Sequence, residues 1–207
     1  MVIGFIGAPY SGKTTTAAKA FADLKDLGAA TEYVPEVARW YIAEKKTYWT
    51  GAYRRALRPE FEGLKFEGLK NEDQIRIMER QLENEAIMAA SCDFDTMVIT
   101  DGCALNSLLY MPESLRRCAE VSRCITQSID QYDVLFYCAP VYDTWIPDPN
   151  RLHSHEEAKA IDCIIPGVKE MYFPGVEMIT LEGKSKSRNR EAVNHLLSLG
   201  ITGLGRC

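Results

Sequence analysis

An α/β domain with a doubly wound parallel sheet, helices on both faces, is the fold class the sequence predicts, and three observations predict it. Five short apolar runs, Val2 to Ile6, Thr31 to Val34, Thr96 to Thr100, Asp133 to Cys138 and Val176 to Leu181, read as strands. Segments of helical periodicity alternate with them, as parallel neighbours require. The first run passes directly into Gly7-Ala8-Pro9-Tyr10-Ser11-Gly12-Lys13-Thr14, a full match to G-x-x-x-x-G-K-[ST] set between a strand and a helix.

At 207 residues the chain has the length of one such domain, 1–207, with enough residues for an ordinary core. A net charge of −5 describes an acidic protein, and no window has the apolar length of a membrane span. The N-terminus enters a strand with no basic leader before it, so the expected location is the cytoplasm, that of a host cell if the chain is phage-encoded. Seven cysteines lie scattered with no C-x-x-C pair, which argues against zinc and against a disulfide framework and for buried thiols. His153 and His155 have no third clustered ligand and read as solvated loop residues rather than metal ligands. Whether copies of the chain associate is left open by composition.

The glycine-bearing loop carries the clearest chemistry. Gly7 and Gly12 let backbone N–H groups turn inward, and the helix that follows adds positive potential at its N-terminus, so Gly7, Ala8, Pro9, Tyr10, Ser11, Gly12, Lys13, Thr14 and Thr15 form a nucleotide-phosphate site. Lys13 would reach the β- and γ-phosphates, and the Thr14 hydroxyl would ligate Mg²⁺. A helix follows the loop, with Gly28 as its stop. After the second strand comes Pro35-Glu36-Val37-Ala38-Arg39-Trp40. A carboxylate at the C-terminal end of a parallel strand lies in the crevice where open sheets bind ligands, which makes Glu36 a candidate general base. Its other reading, an acid answering a helix dipole, stays open here, as does the choice between a phosphate contact and a solvated residue for Arg39.

From about 40 to 70 the chain reads as an acceptor-side helical region. Between Glu44 and Lys70 it holds seven basic against four acidic residues, interleaved with Tyr48, Trp49 and Tyr53, a composition that suits an anionic, aromatic acceptor and equally suits amphipathic helices. The tandem FEGLK-FEGLK at 61–70 matches neither helical nor strand period. Asn71 with Gln74 resembles a capping box, opening a helix to Ser91 that carries Gln81 and Glu85 on one face. The third strand ends in Asp101-Gly102, the form taken by the carboxylate that holds Mg²⁺ opposite a phosphate loop. Helices are expected over 104–114 and 115–129, with Arg116 and Arg117 open to phosphate or to solvent. After the fourth strand, Tyr142 to Leu152 is a proline-rich loop where a lid is expected, about 142–156, with Arg151 over the transferring phosphoryl group or paired with Asp148. A helix over 156–165, a basic glycine-started segment Gly183 to Arg190 suited to lining an adenine, and a closing helix over 191–199 complete the chain.

With these features in place the sequence resembles the P-loop nucleoside and nucleotide kinases, in particular the nicotinamide-riboside-kinase branch, and it is similar to bacteriophage kinases acting on 5-hydroxymethyluracil within DNA. The resemblance implies the P-loop NTPase fold, strand order 2-3-1-4-5, a mobile lid carrying Arg151, and ATP with Mg²⁺ as donor. It implies that Lys13, Glu36, Asp101 and Arg151 are catalytic, that Thr14 and Asp101 hold the metal, and that Glu36 is the base. The acceptor side is assigned Arg39, Trp40, Gln81 and Arg116. Many relatives carry Asp-Arg after the third strand where this chain has Asp101-Gly102, which leaves Arg39, Arg116, Arg117 and Arg151 competing for the bridging arginine. The expected activity is ATP-dependent phosphorylation of a nucleoside-like acceptor, best 5-hydroxymethyluracil in DNA, with a free nucleoside, nucleotide or nicotinamide riboside as the alternative. An NTP-hydrolysing binding switch is the rival of another class.

Overall fold

Strand β1 (Val2–Ile6) is buried along its whole length and forms the middle of the fold. The computed structural model describes residues 1–50, 69–141 and 153–199. Flanking β1 are β2 (Thr31–Val34), β3 (Met97–Asp101), β4 (Val134–Cys138) and β5 (Glu177–Leu181), every adjacent pair parallel, in the order β2-β3-β1-β4-β5. Alternation along β1 sends Ile3 and Phe5 to one face and Val2 and Ile6 to the other, so each face has its own apolar core.

Helices α1 (Lys13–Asp26) and α8 (Ser185–Ser198) cover the Ile3 and Phe5 face with Ala17, Ala20, Leu24, Ala192 and Leu196. The opposite face is covered by α3 (Asn71–Ser91), α4 (Ala104–Leu109), α6 (Ala119–Ser128) and α7 (His155–Tyr172), through Met78, Leu105, Leu108, Val121 and Ile165. Helix α2 (Val37–Thr50) leads away from the end of β2, and a single turn, α5 (Glu113–Arg116), joins α4 to α6. Among the described residues no helix is long and apolar enough to cross a membrane.

Several expected boundaries shift, each for a physical reason. The stretch after β3 forms three short helices rather than two, because Pro112 lacks an N–H and its carbonyl instead starts the next turn, accepting from Leu115 and Arg116. Helix α7 does not stop before Pro166 but runs through it to Tyr172, where burial of Val168 and Phe173 outweighs a cost of about 3 kcal/mol for an interior proline. Helix α3 starts with Lys70 as its N-cap, and Asp73 rather than Gln74 reaches back, accepting from the Lys70 N–H at 2.9 Å. Helix α8 begins at Ser185 rather than at 191, so most of the basic segment Gly183 to Arg190 is part of the closing helix.

Candidate active site

Register places the reactive residues together. Phe5 pairs with Asp101 and Val34 with Thr100, so β1, β2 and β3 release Gly7, Pro35 and Gly102 side by side at their C-terminal ends. That edge is where open parallel sheets bind ligands.

The glycine loop turns into α1 through Gly12, whose φ of +80° a side chain would strain. Its backbone closes with Ser11 N–H donating to Ala8 O at 3.1 Å and Thr16 N–H to Gly12 O at 3.0 Å. Arg188, only 3% exposed on α8, donates to the carbonyls of Ser11 and Ala139 and so ties the loop to the end of β4. Sequence reading misses this residue, because nothing local distinguishes it from Lys184, Lys186 and Arg190 beside it.

Lys13 lies at the centre. Its Nζ donates to Glu36 Oε1 at 2.8 Å and stands 3.6 Å from Asp101 Oδ1. Burial pulls the Lys13 ammonium down, but Glu36 and Asp101 together outweigh it and hold its pKa above the ordinary lysine value. Burial and the Asp101 carboxylate likewise push the Tyr33 phenol up. Asp101 is 1% exposed, and among the described residues its Oδ1 has no hydrogen-bond partner. A buried carboxylate oxygen answered only by a lysine at ion-pair distance, with the Thr14 hydroxyl in the same first turn as Lys13, is a donor set that fits Mg²⁺. Among the described residues no group of three His, Cys, Asp or Glu could hold a metal.

Behind this edge lies a second polar cluster. Glu85 on α3 is fully buried, and its Oε1 accepts from Gln81 Nε2 at 2.8 Å and Thr100 Oγ1 at 2.6 Å. Its Oε2 accepts from Gln131 Nε2 at 2.9 Å and the Tyr132 hydroxyl at 2.6 Å. Burial pushes the Glu85 carboxyl up to about 7, against the hydrogen bonds from Thr100, Tyr132 and Gln81, which pull it down. The same network reaches the site: Gln81 Oε1 accepts from Val37 N–H at 2.9 Å, one residue past Glu36, and the Tyr132 hydroxyl accepts from Ala104 N–H at 3.0 Å, two residues past Gly102.

Of the acceptor residues assigned from sequence, Gln81 is 2% exposed and its amide is engaged with Val37, Glu85 and Thr100. Arg39 sits at the site edge, with Nη2 3.5 Å from Thr14 Oγ1, and Trp40 beside it is 68% exposed. Arg116 donates from Nε to Met111 O at 2.9 Å, and Arg117 pairs with Glu113 in solvent. Among the four competing arginines, the described residues place Arg39 beside the phosphate loop. Arg151, Asp148 and the lid residues 142–152 lie outside the described residues, as do 51–68 of the acceptor-side region. His153 is not a solvated loop residue: its half-buried ring lies 5.2 Å from that of Tyr110, and burial lowers its pKa. Ser154 caps α7, exchanging hydrogen bonds with Glu157.

Comparison with known proteins bears on the family and the fold. The model of the AAA domain family matches residues 2–184. No curated protein matches the chain. Among solved structures, a deoxyadenosine kinase from M. mycoides with bound dATP superposes with a TM-score of 0.56 at 14% identity, covering 95% of this chain and 99% of that one. At that identity the likeness shows the fold, a P-loop NTPase sheet of the same architecture.

Proposed function

The chain belongs to the AAA domain family, and from that premise we propose that it is an ATP-dependent kinase, one unit over 1–207, that phosphorylates a hydroxyl of a nucleoside-like acceptor. The observation that carries the proposal is the convergence of Glu36 and Asp101 on Lys13, at 2.8 and 3.6 Å, on the sheet edge where the glycine loop opens. A hydrolase and a kinase both need a group that positions the attacking oxygen, water in the one and an acceptor hydroxyl in the other. A second carboxylate within hydrogen-bond reach of the phosphate-loop lysine, at the end of β2, suits the base for an acceptor hydroxyl, and dependence of turnover on an added acceptor separates the two readings.

In the proposed reaction Lys13 turns from Glu36 to the β- and γ-phosphates, the loop N–H groups hold the phosphate chain, and Glu36 is freed. The carboxylate of Glu36 takes the acceptor's proton, the acceptor oxygen forms a bond to Pγ, and the bond from Pγ to the β-phosphate oxygen breaks to release ADP. Thr14 and Asp101 would hold Mg²⁺, which when bound neutralises charge on the phosphates. Arg39 is placed to neutralise charge at the mouth of the loop.

Our narrower reading of the acceptor is 5-hydroxymethyluracil in DNA, supported by Trp40, a large exposed aromatic next to Arg39, which suits stacking on a base. The test is transfer of label from γ-labelled ATP to hydroxymethyluracil-containing DNA, to free nucleosides and to nicotinamide riboside. Turnover that no acceptor stimulates overturns the kinase proposal, and label confined to a free nucleoside or to nicotinamide riboside overturns the narrower one.

A further inference from the structure

Arg188 stands on α8 beneath the phosphate loop, buried, with Nη1 donating to the Ser11 carbonyl and Nη2 to the Ala139 carbonyl. Ala139 is a fixed point, since its own N–H donates to Leu181 O on β5 at 3.1 Å. Among the described residues Arg188 forms no ion pair. A guanidinium taken out of water ordinarily has an anion beside it, because carbonyl dipoles alone do not repay the desolvation of a full charge. The peptide unit that joins Ser11 to Gly12 indicates where the anion comes from. It is trans, as are all peptide bonds among the described residues, so its C=O and its N–H point in opposite directions. With the carbonyl turned to Arg188, the Gly12 N–H is turned away from it, towards the side on which such a loop takes phosphate. Among the described residues that N–H donates to no backbone carbonyl. Gly12 allows the arrangement, with φ +80° and a Cβ position only 3.6 Å from Arg188 Nη1.

We propose that Arg188 is a positioning residue of the phosphate site. It holds the Ser11–Gly12 peptide with the N–H aimed at the β-phosphate of a bound nucleotide, and that phosphate is the anion its buried charge lacks. The inference rests on the nucleotide-donor half of the kinase reading and adds to it a residue from outside the glycine motif, 177 positions from Ser11. Two effects act together. Donation to the Ser11 carbonyl polarises the peptide, which makes the Gly12 N–H a stronger donor. The guanidinium also lies one peptide unit from that N–H in a poorly solvated place, where its attraction for phosphate is screened less than in water. Because Ala139 is fixed to β5, the same side chain hangs the loop from the sheet, so the N–H is aimed before any nucleotide arrives and little ordering is left for binding to impose.

The test measures Kd for ATP, ADP and AMP in the presence of Mg²⁺, by displacement of a fluorescent ATP analogue from the full-length protein, for wild type, Arg188→Gln and Arg188→Lys. The readout is the preference for ADP over AMP, the ratio of the two Kd values, which reports the β-phosphate and does not depend on the fraction of a variant that is folded. Arg188→Gln keeps a donor for one carbonyl and loses the charge. It is expected to bind ATP and ADP about ten- to a hundredfold more weakly and AMP less than about threefold more weakly, so that the preference collapses. Arg188→Lys keeps the charge and loses the fork, and its preference should fall between those of wild type and Arg188→Gln. A wild-type preference in Arg188→Gln overturns the proposal, and so does an equal loss for all three nucleotides, the mark of a residue that only supports the fold. A preference in Arg188→Lys no greater than that in Arg188→Gln overturns the part given to the charge. Wild type that takes up no ATP overturns the nucleotide site itself.

Discussion

Two buried polar clusters lie a few residues apart in this protein, and they are built differently. Around Glu85 four donors answer two carboxylate oxygens, and the cluster is closed. Around Lys13 the count does not close: among the described residues Asp101 Oδ1 and both ends of Asn106 lack hydrogen-bond partners, and Lys13 is shared between Glu36 and Asp101. A closed network holds elements in place, whereas an open one awaits groups that the protein does not supply. The closed cluster binds α3, the end of β3 and the starts of α2 and α4. It thereby sets the backbone on which the open cluster stands.

The largest expected effect separates the two most sharply. Glu36→Gln keeps size and removes the base, so kcat should fall by about 10²- to 10⁴-fold with the melting temperature nearly unchanged. A matching loss of stability would show that Glu36 belongs to the closed kind. Next, Glu85→Ala leaves Tyr132, Thr100, Gln81 and Gln131 without their acceptor, at a cost of about 3 kcal/mol of stability in denaturant unfolding. The same carboxyl gives a pH signature. Its folded pKa of about 7 lies above the ordinary 4.5, so the folded state binds the extra proton between these values. Its contribution to stability therefore falls as pH rises from 4.5 to 7, and Glu85→Gln should flatten that decline in unfolding measured across the window.

Smaller effects refine the contrast. Gly102→Ala places a methyl 3.2 Å from Glu36 Cγ at a left-handed backbone position. It should cost about 1 kcal/mol of stability and a larger share of activity, because the displaced group is Glu36; kcat falling less than twofold would mean that the position of Glu36 does not govern transfer. Smallest is Arg117→Ala, which removes a solvent-exposed pair with Glu113 and should change stability by less than about 0.5 kcal/mol, with no effect on transfer rate.

Much of the open cluster was legible in the chain. The glycine motif, Glu36 after β2 and Asp101 ending β3 were readable because each is a local pattern at the end of an apolar run. Arg188 was not, since a buried arginine and its solvated neighbours look alike in a basic stretch. Asn106 left a faint signal, one of two polar residues, with Ser107, in an otherwise apolar helical run, but its unpaired state has no local signature. Gln81 and Glu85 were legible as a pair on one helical face, while their partners Thr100, Gln131 and Tyr132 come from other elements.

By itself, then, the sequence determined the features that short-range periodicity and motif dictate: the α/β class, the phosphate loop, and which strands end in carboxylates. Only the tertiary structure decided which of those carboxylates share Lys13, which polar groups close on one another, and which stay open. The reason is physical. Burial and hydrogen-bond satisfaction are relations between groups far apart in the chain, as with Lys13 and Glu36 or Ser11 and Arg188, and they exist only once the parallel register has brought those groups to one edge.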